Sequence, residues 1–124
     1  MADEIKVRVK TTLANGYLAD LFDPGEVSIT QTTGLKHCPV VDIGTSEEDI
    51  SFGDISAANI GYCAMRNLDT TNYVDIGPKS GGAMVGMLRL KPGEPQSMRL
   101  VPGVTLRAVA NTAACKVQFS FYQT

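Results

Sequence analysis

Along much of the chain, apolar and polar residues change places at every second position. Ile5-Lys6-Val7-Arg8-Val9-Lys10 alternates apolar with cationic side chains, and Val117, Phe119 and Phe121 alternate with Gln118, Ser120 and Tyr122. A period of two puts each set on its own face of an extended strand, so both runs predict strands with one dry face. Shorter candidates lie between them at residues 26–32, 38–43, 50–52, 62–66, 73–76, 84–90, 96–101 and 104–110. Twelve glycines and six prolines, with Asn and Asp, punctuate these runs. Strands of this length, broken about every 8–12 residues, belong to sandwiches and barrels.

The turns are legible too. Lys91-Pro92-Gly93-Glu94 and Val101-Pro102-Gly103-Val104 place Pro before Gly. That order suits a type II turn, because Pro presets φ and Gly takes the positive φ that follows. The second is expected to join residues 98–101 to 104–106 as a tight hairpin. Pro39 and Pro95 belong at strand starts, edges or bulges, where a missing ladder donor is tolerated. Helical signals are confined to single turns, at residues 45–49 in capping-box spacing and at 17–22 before Asp23-Pro24. The expected fold is all-β: a single antiparallel β-sandwich, jelly-roll-like, over residues 23–124, preceded by an N-terminal strand or arm at 1–22. Because a charged alternating strand is followed by Asn15-Gly16, the arm is read as pairing outside its own sandwich. Ile5, Val7 and Val9 are its expected subunit or particle interface.

Composition narrows the class. The chain has 124 residues, 44% hydrophobic and 19% charged, which supports one core and excludes disorder. No apolar run reaches the length of a membrane-spanning helix. The opening Met1-Ala2-Asp3-Glu4 lacks the basic and apolar regions of a signal peptide, so synthesis in a cytoplasm is expected. A net charge of −2 argues against a nucleic-acid partner. Residues 1–60 hold four Lys/Arg against ten Asp/Glu, and residues 61–124 hold seven against three. Such a split attracts copies head to tail unless the two halves mix on one surface.

Reactive groups are few. His37 is the one histidine, and its neighbour Cys38 points to the opposite face of any strand, a poor base–nucleophile pair. Cys38, Cys63 and Cys115 are odd in number and far apart, which reads as reduced thiols rather than a disulfide framework. Two acidic clusters, Glu47/Glu48/Asp49/Asp54 and Asp20/Asp23/Glu26, read as solvated loop acids rather than calcium ligands. No catalytic residue, metal site or cofactor is expected, and the chain is expected not to be an enzyme.

The strongest local motif is Arg66-Asn67-Leu68-Asp69-Thr70-Thr71-Asn72-Tyr73-Val74-Asp75-Ile76-Gly77. Asn67, Asp69 and Asn72 are short polar side chains that bond nearby backbone and stiffen a strand connection. With the later L-R-L-K-P-G-E and M-R-L-V-P-G-V-T-L-R-A-V-A-N-T-A, this order resembles small β-sandwich virion proteins of tailed bacteriophages. The resemblance spans residues 61–123 and, more loosely, 27–34. It implies that Asn67, Leu68, Asp69, Asn72, Tyr73, Val74, Gly77, Lys91, Pro92, Gly93 and Glu94 are fold-forming positions, joined by Pro102 and Gly103 from the turn reading. It further implies a capsid decoration or cement protein of the virion, self-associating as a homo-oligomer, a trimer for preference. The partner would be a major capsid protein or another virion protein, with no nucleic acid and no membrane. The alternatives are a tail or baseplate adaptor, and a receptor- or glycan-binding module using Tyr62 or Tyr73.

Overall fold

The computed structural model describes residues 3–124; Met1 and Ala2, assigned to the arm, lie outside the described residues. Among the described residues the strands are β1 (Ile5–Arg8), β2 (Thr11–Asn15), β3 (Leu18–Phe22), β4 (Glu26–Ile29), β5 (Lys36–His37), β6 (Val40–Ile43) and β7 (Glu48–Asp49). They continue with β8 (Ile60–Asn67), β9 (Val74–Ser80), β10 (Ala83–Met84), β11 (Leu88–Leu90), β12 (Pro95–Arg99), β13 (Leu106–Ala110) and β14 (Cys115–Gln123). One short 3-10 turn, Ala57–Asn59, is the helical content of these residues, and none of it is long and apolar enough to cross a membrane. The all-β expectation holds.

The chain forms two compact units, the first ending at Gly34 and the second spanning Leu35–Gln123. This boundary falls later than the one expected after residue 22. The reason is pairing: β4, assigned from sequence to the sandwich, pairs antiparallel with β1.

The second unit is the sandwich. One sheet runs β12-β8-β14-β5, with β6 also on β14; the other runs β10-β9-β13-β7, with β11 also on β9. Taking β5/β6 and β10/β11 as broken edge strands, the orders are 6-14-8-12 and 7-13-9-11. From β6 onward the chain changes sheets at every connection except the β9–β10 hairpin and the β10–β11 break, which is the jelly-roll winding. Alternation fills the space between: Cys115, Val117, Phe119 and Phe121 from β14 are buried, as are Leu106, Ala108 and Ala110 from β13. Phe119 stacks on Phe121 at 5.3 Å, and Phe52 meets Phe121 edge-on at 4.9 Å.

Several expected boundaries move. Residues 50–52 form no strand; β7 ends just before them, and Ile50 and Phe52 pack into the core from a loop. Residues 18–22 form β3 and Tyr17 a hairpin turn, rather than a helical turn, since the backbone groups of 18–22 are taken by β2. Both Pro-Gly turns exist, with Gly93 at φ 79° and Gly103 at φ 91°, closed by Glu94 N–H to Lys91 O (3.0 Å) and Val104 N–H to Val101 O (3.2 Å). Neither makes a hairpin. Each carries the chain from one sheet to the other, because β12 lies on β8 whereas β11 and β13 lie on β9. Turn chemistry specifies the reversal but not which sheet receives the strand.

Gly77 is a fold-forming position for a reason other than a turn. It lies inside β9, and a Cβ there would sit 1.9 Å from the carbonyl oxygen of Val85. That oxygen approaches at a bulge, since the register changes by one residue between Met84↔Lys79 and Leu88↔Ile76. Backbone has to move to admit any side chain. Gly77→Ala is expected to cost about 1–3 kcal/mol or more, as overpacking does, lowering the melting temperature by at least ~4 °C in thermal unfolding. An unchanged melting temperature would mean that the Val85 bulge yields freely.

The first unit is a two-stranded ribbon. β1 pairs with β4 and, further out, β2 pairs with β3, so the second pair is nested inside the first. Between Arg8↔Glu26 and Thr11↔Phe22, two residues face Asp23-Pro24-Gly25, an extra residue at a place where Pro has no N–H to offer. Asp23 pins this joint, accepting from Arg8 (2.9 Å) and from the Gly25 N–H (3.2 Å). The tip closes between Asn15 and Leu18, with Gly16 at φ 58° as the left-handed first loop residue of a type II′ turn.

Candidate functional site

The groups that carry chemistry are mostly committed elsewhere. His37, on β5, lies parallel to Phe121 at 6.4 Å, with its ring against Gly53. Cys38 is exposed, while Cys63 and Cys115 are buried. Burial pushes the Cys63 thiol up to about 12, which keeps it protonated and inert. The acidic clusters are drawn into pairs. Asp49 accepts from Arg107 at 2.7 Å, and Glu47 lies 3.7 Å from the same guanidinium and accepts from the Met84 N–H. Glu48 accepts from the Gly44 N–H. In the other cluster Lys6 faces Glu26 at 3.6 Å. The Arg107 pairs tie the acidic first half of the sequence to its basic second half, so the two mix on one surface as the alternative reading allowed. No group of His, Cys, Asp and Glu suited to a metal occurs among the described residues.

The Asn67–Asn72 motif is a structural hub. Asn67, the buried polar residue at the end of β8, donates from Nδ2 to the carbonyls of Asn72 and Leu90, both at 2.9 Å, and accepts from the Asp69 N–H at 2.9 Å. Its own backbone bonds Glu94 and Gly93. The β8–β9 loop and the end of β11 therefore meet at its side chain, and the Pro92-Gly93 turn at its backbone. Asn72 extends the hub, accepting from Thr112 Oγ1 at 2.7 Å in the β13–β14 loop. Asp69 accepts from the N–H groups of Asn72 and Thr71, and these bonds hold its carboxyl below the usual range.

The surface left over is the ribbon. On β1, Ile5 is buried and Val7 half-buried, Val9 just beyond it is exposed, and β4 of the same chain already occupies one edge of that strand. The apolar surface lies further out, on the nested pair. There Leu13, Leu18, Leu21 and Phe22 are 47%, 62%, 62% and 57% exposed, and every residue of β2 and β3 faces solvent. Register puts Leu13, Leu18 and Phe22 on one face and Leu21 on the other, so neither face is a polar one. Reading residues 17–22 as a helical turn hid this surface. The signal that reveals it is Gly16 between two five-residue runs able to alternate.

No family model matches this chain, and no curated protein matches it. Among solved structures, the chain superposes on Bacillus endospore appendages, described as a novel family of disulfide-linked pili. The TM-score is 0.54 at 21% identity, over 73% of this chain and 87% of that one. The likeness establishes a shared fold. It also corrects the expected function: the fold is matched in a pilus and carries no link to a phage, so the capsid decoration role is withdrawn. With it go the tail or baseplate adaptor and the receptor- or glycan-binding module.

Two outcomes are expected at the hub. Asn67→Ala strands the Leu90 and Asn72 carbonyls, at about 1–3 kcal/mol for each group left buried and unpaired, read by denaturant unfolding. A loss below ~1 kcal/mol would show that water replaces the amide. Asp69, with its folded value depressed, adds stability that is present above its unfolded value of about 3.9 and is lost as pH falls through the folded one. The melting-temperature gap between the parent and Asp69→Asn is therefore expected to narrow from pH 6 to pH 2; a constant gap would contradict the assignment.

Proposed function

We propose that this chain is a non-enzymatic structural subunit that associates with copies of itself, the jelly roll serving as the body and the N-terminal ribbon as the connector. The observation that carries this is the outer ribbon, with four large apolar side chains in water on a pair of strands that have no third. An isolated two-stranded ribbon is marginal in water, and covering those side chains contributes on the order of 1.5–3 kcal/mol each. Contact with a second copy supplies that cover. The fold shared with a pilus supports the same reading.

A connector that reaches a different surface on the next copy makes a head-to-tail contact, which propagates as an open polymer unless its rotation closes a ring. This reading replaces the closed trimer expected from sequence. The cysteines set the chemistry of the contact: Cys38 alone is exposed, and one accessible thiol joins two copies at most. A long chain of copies therefore rests on non-covalent contacts, unlike the disulfide-linked pili whose fold it shares.

Light scattering with size-exclusion chromatography tests this. The parent protein is expected to form multimers that grow with concentration and persist in reductant. Leu21→Asp with Phe22→Asp is expected to leave a monomer with an unchanged melting temperature. A parent that stays monomeric at roughly 100 times a micromolar Kd, where association would be saturated, overturns the proposal.

A further inference from the structure

Resting on that reading, the edges of the two sheets indicate where the connector lands. The sandwich has four open edges. β12 opens on Pro95, β5/β6 is broken by Pro39 and carries Lys36, and β7 is two residues long and acidic. Proline, charge and shortness are the devices that keep edges from pairing with other chains. The fourth edge is short too, two residues in β10 and three in β11, but its central run lacks the other two devices. From Ala83 through Leu88 the β10/β11 edge has no charge and no proline, and its Val85 and Met87 side chains are 55% and 64% exposed. Its first charge, Arg89, is held by Asp75 at 2.7 and 3.0 Å and lies over the Tyr73 ring. A bulge at Val85 interrupts it, and Glu47 accepts from its Met84 N–H.

The ribbon contains a matching edge. β2, Thr11-Thr12-Leu13-Ala14-Asn15, is uncharged, free of Gly and Pro, and exposed throughout, whereas β1 and β4 carry Lys6, Arg8 and Glu26. Among the described residues of one chain β2 pairs only with β3, and β10 and β11 pair only with β9. We infer that β2 of one copy adds as a strand to the β10/β11 edge of a second copy. Pairing these two runs, neither of which has a charged side chain of its own, gives open backbone groups on both edges a partner and gives the ribbon its third strand. Donor and acceptor are different surfaces, so each copy retains one of each and the contact repeats.

The test is Val85→Lys with Met87→Lys in the full chain, compared with the parent and the Leu21/Phe22 variant above. Both positions are exposed, so the melting temperature is expected to hold, while self-association weakens at least about tenfold. Cross-linking fixes the pairing. In a Cys38→Ser background, a mixture of Leu13→Cys and Met87→Cys chains is expected to form the mixed disulfide under mild oxidation, and a chain with both is expected to form a ladder. If the lysine variant associates as well as the parent while the ribbon variant does not, the acceptor edge is wrong and the connector stands. Cross-linking only between two Met87→Cys chains likewise overturns the inference, since the edge then pairs with itself. A parent that does not associate at all removes both.

Discussion

The pairing of β8 with β14 is the interaction on which the rest of the sandwich depends. It runs from Val117↔Asn67 to Tyr122↔Tyr62, in the middle of one sheet, and sets which side chains of both strands face inward. Cys63, Met65, Val117, Phe119 and Phe121 all enter the same interior as a result. A slip of one residue would turn that set outward, so the register is held by the full apolar content of two strands. The other sheet closes over it with Val74, Ile76, Leu106 and Ala108.

At the end of that pair sits Asn67, the one buried polar side chain of the interior among the described residues. A jelly roll changes sheets at nearly every connection, leaving carbonyls at its corners that no neighbouring strand can reach. The Asn67 side-chain amide, with two donors and one acceptor, answers for the β8–β9 loop and the end of β11, while its backbone holds the Pro92-Gly93 turn. The core and its corners thus form a closed system. The ribbon does not. Its paired strands satisfy each other on one side only, and its leucines and phenylalanine stay in water. Assembly would relieve a local imbalance of this kind, and the proposed function gives the two units different tasks on that ground.

Much of this was legible in the residues. Alternation placed β14 and β13 to within a few positions, because those strands have one buried face and one more exposed. The Asn67-Asp69-Asn72 spacing identified a stiff connection. What sequence could not supply was the destination of each strand. Pro102-Gly103 reverses the chain whether the next strand pairs locally or crosses to the opposite sheet. Gly77 looked like turn punctuation because the approach of Val85 is a tertiary event. The ribbon was misread in part because Leu18-Ala19-Asp20-Leu21-Phe22 follows no period of two relative to any buried face. Its apolar residues face no interior of the chain, and a pattern without an interior is hard to tell from a helical turn. The virion role came from motif order over residues 61–123 and, more loosely, 27–34, and a fold of this kind is shared by proteins with other duties.

The central claim is that the ribbon is incomplete until a second copy covers it. Amide hydrogen exchange measured across protein concentration tests it most directly, because it reads the backbone of both units in one sample. The account predicts that β8 and β14 exchange slowly at every concentration. Residues 11–22 should exchange rapidly in dilute solution and become protected as the protein is concentrated. Ribbon amides as slow as the core in a dilute monomer, or equally fast at all concentrations, would contradict it.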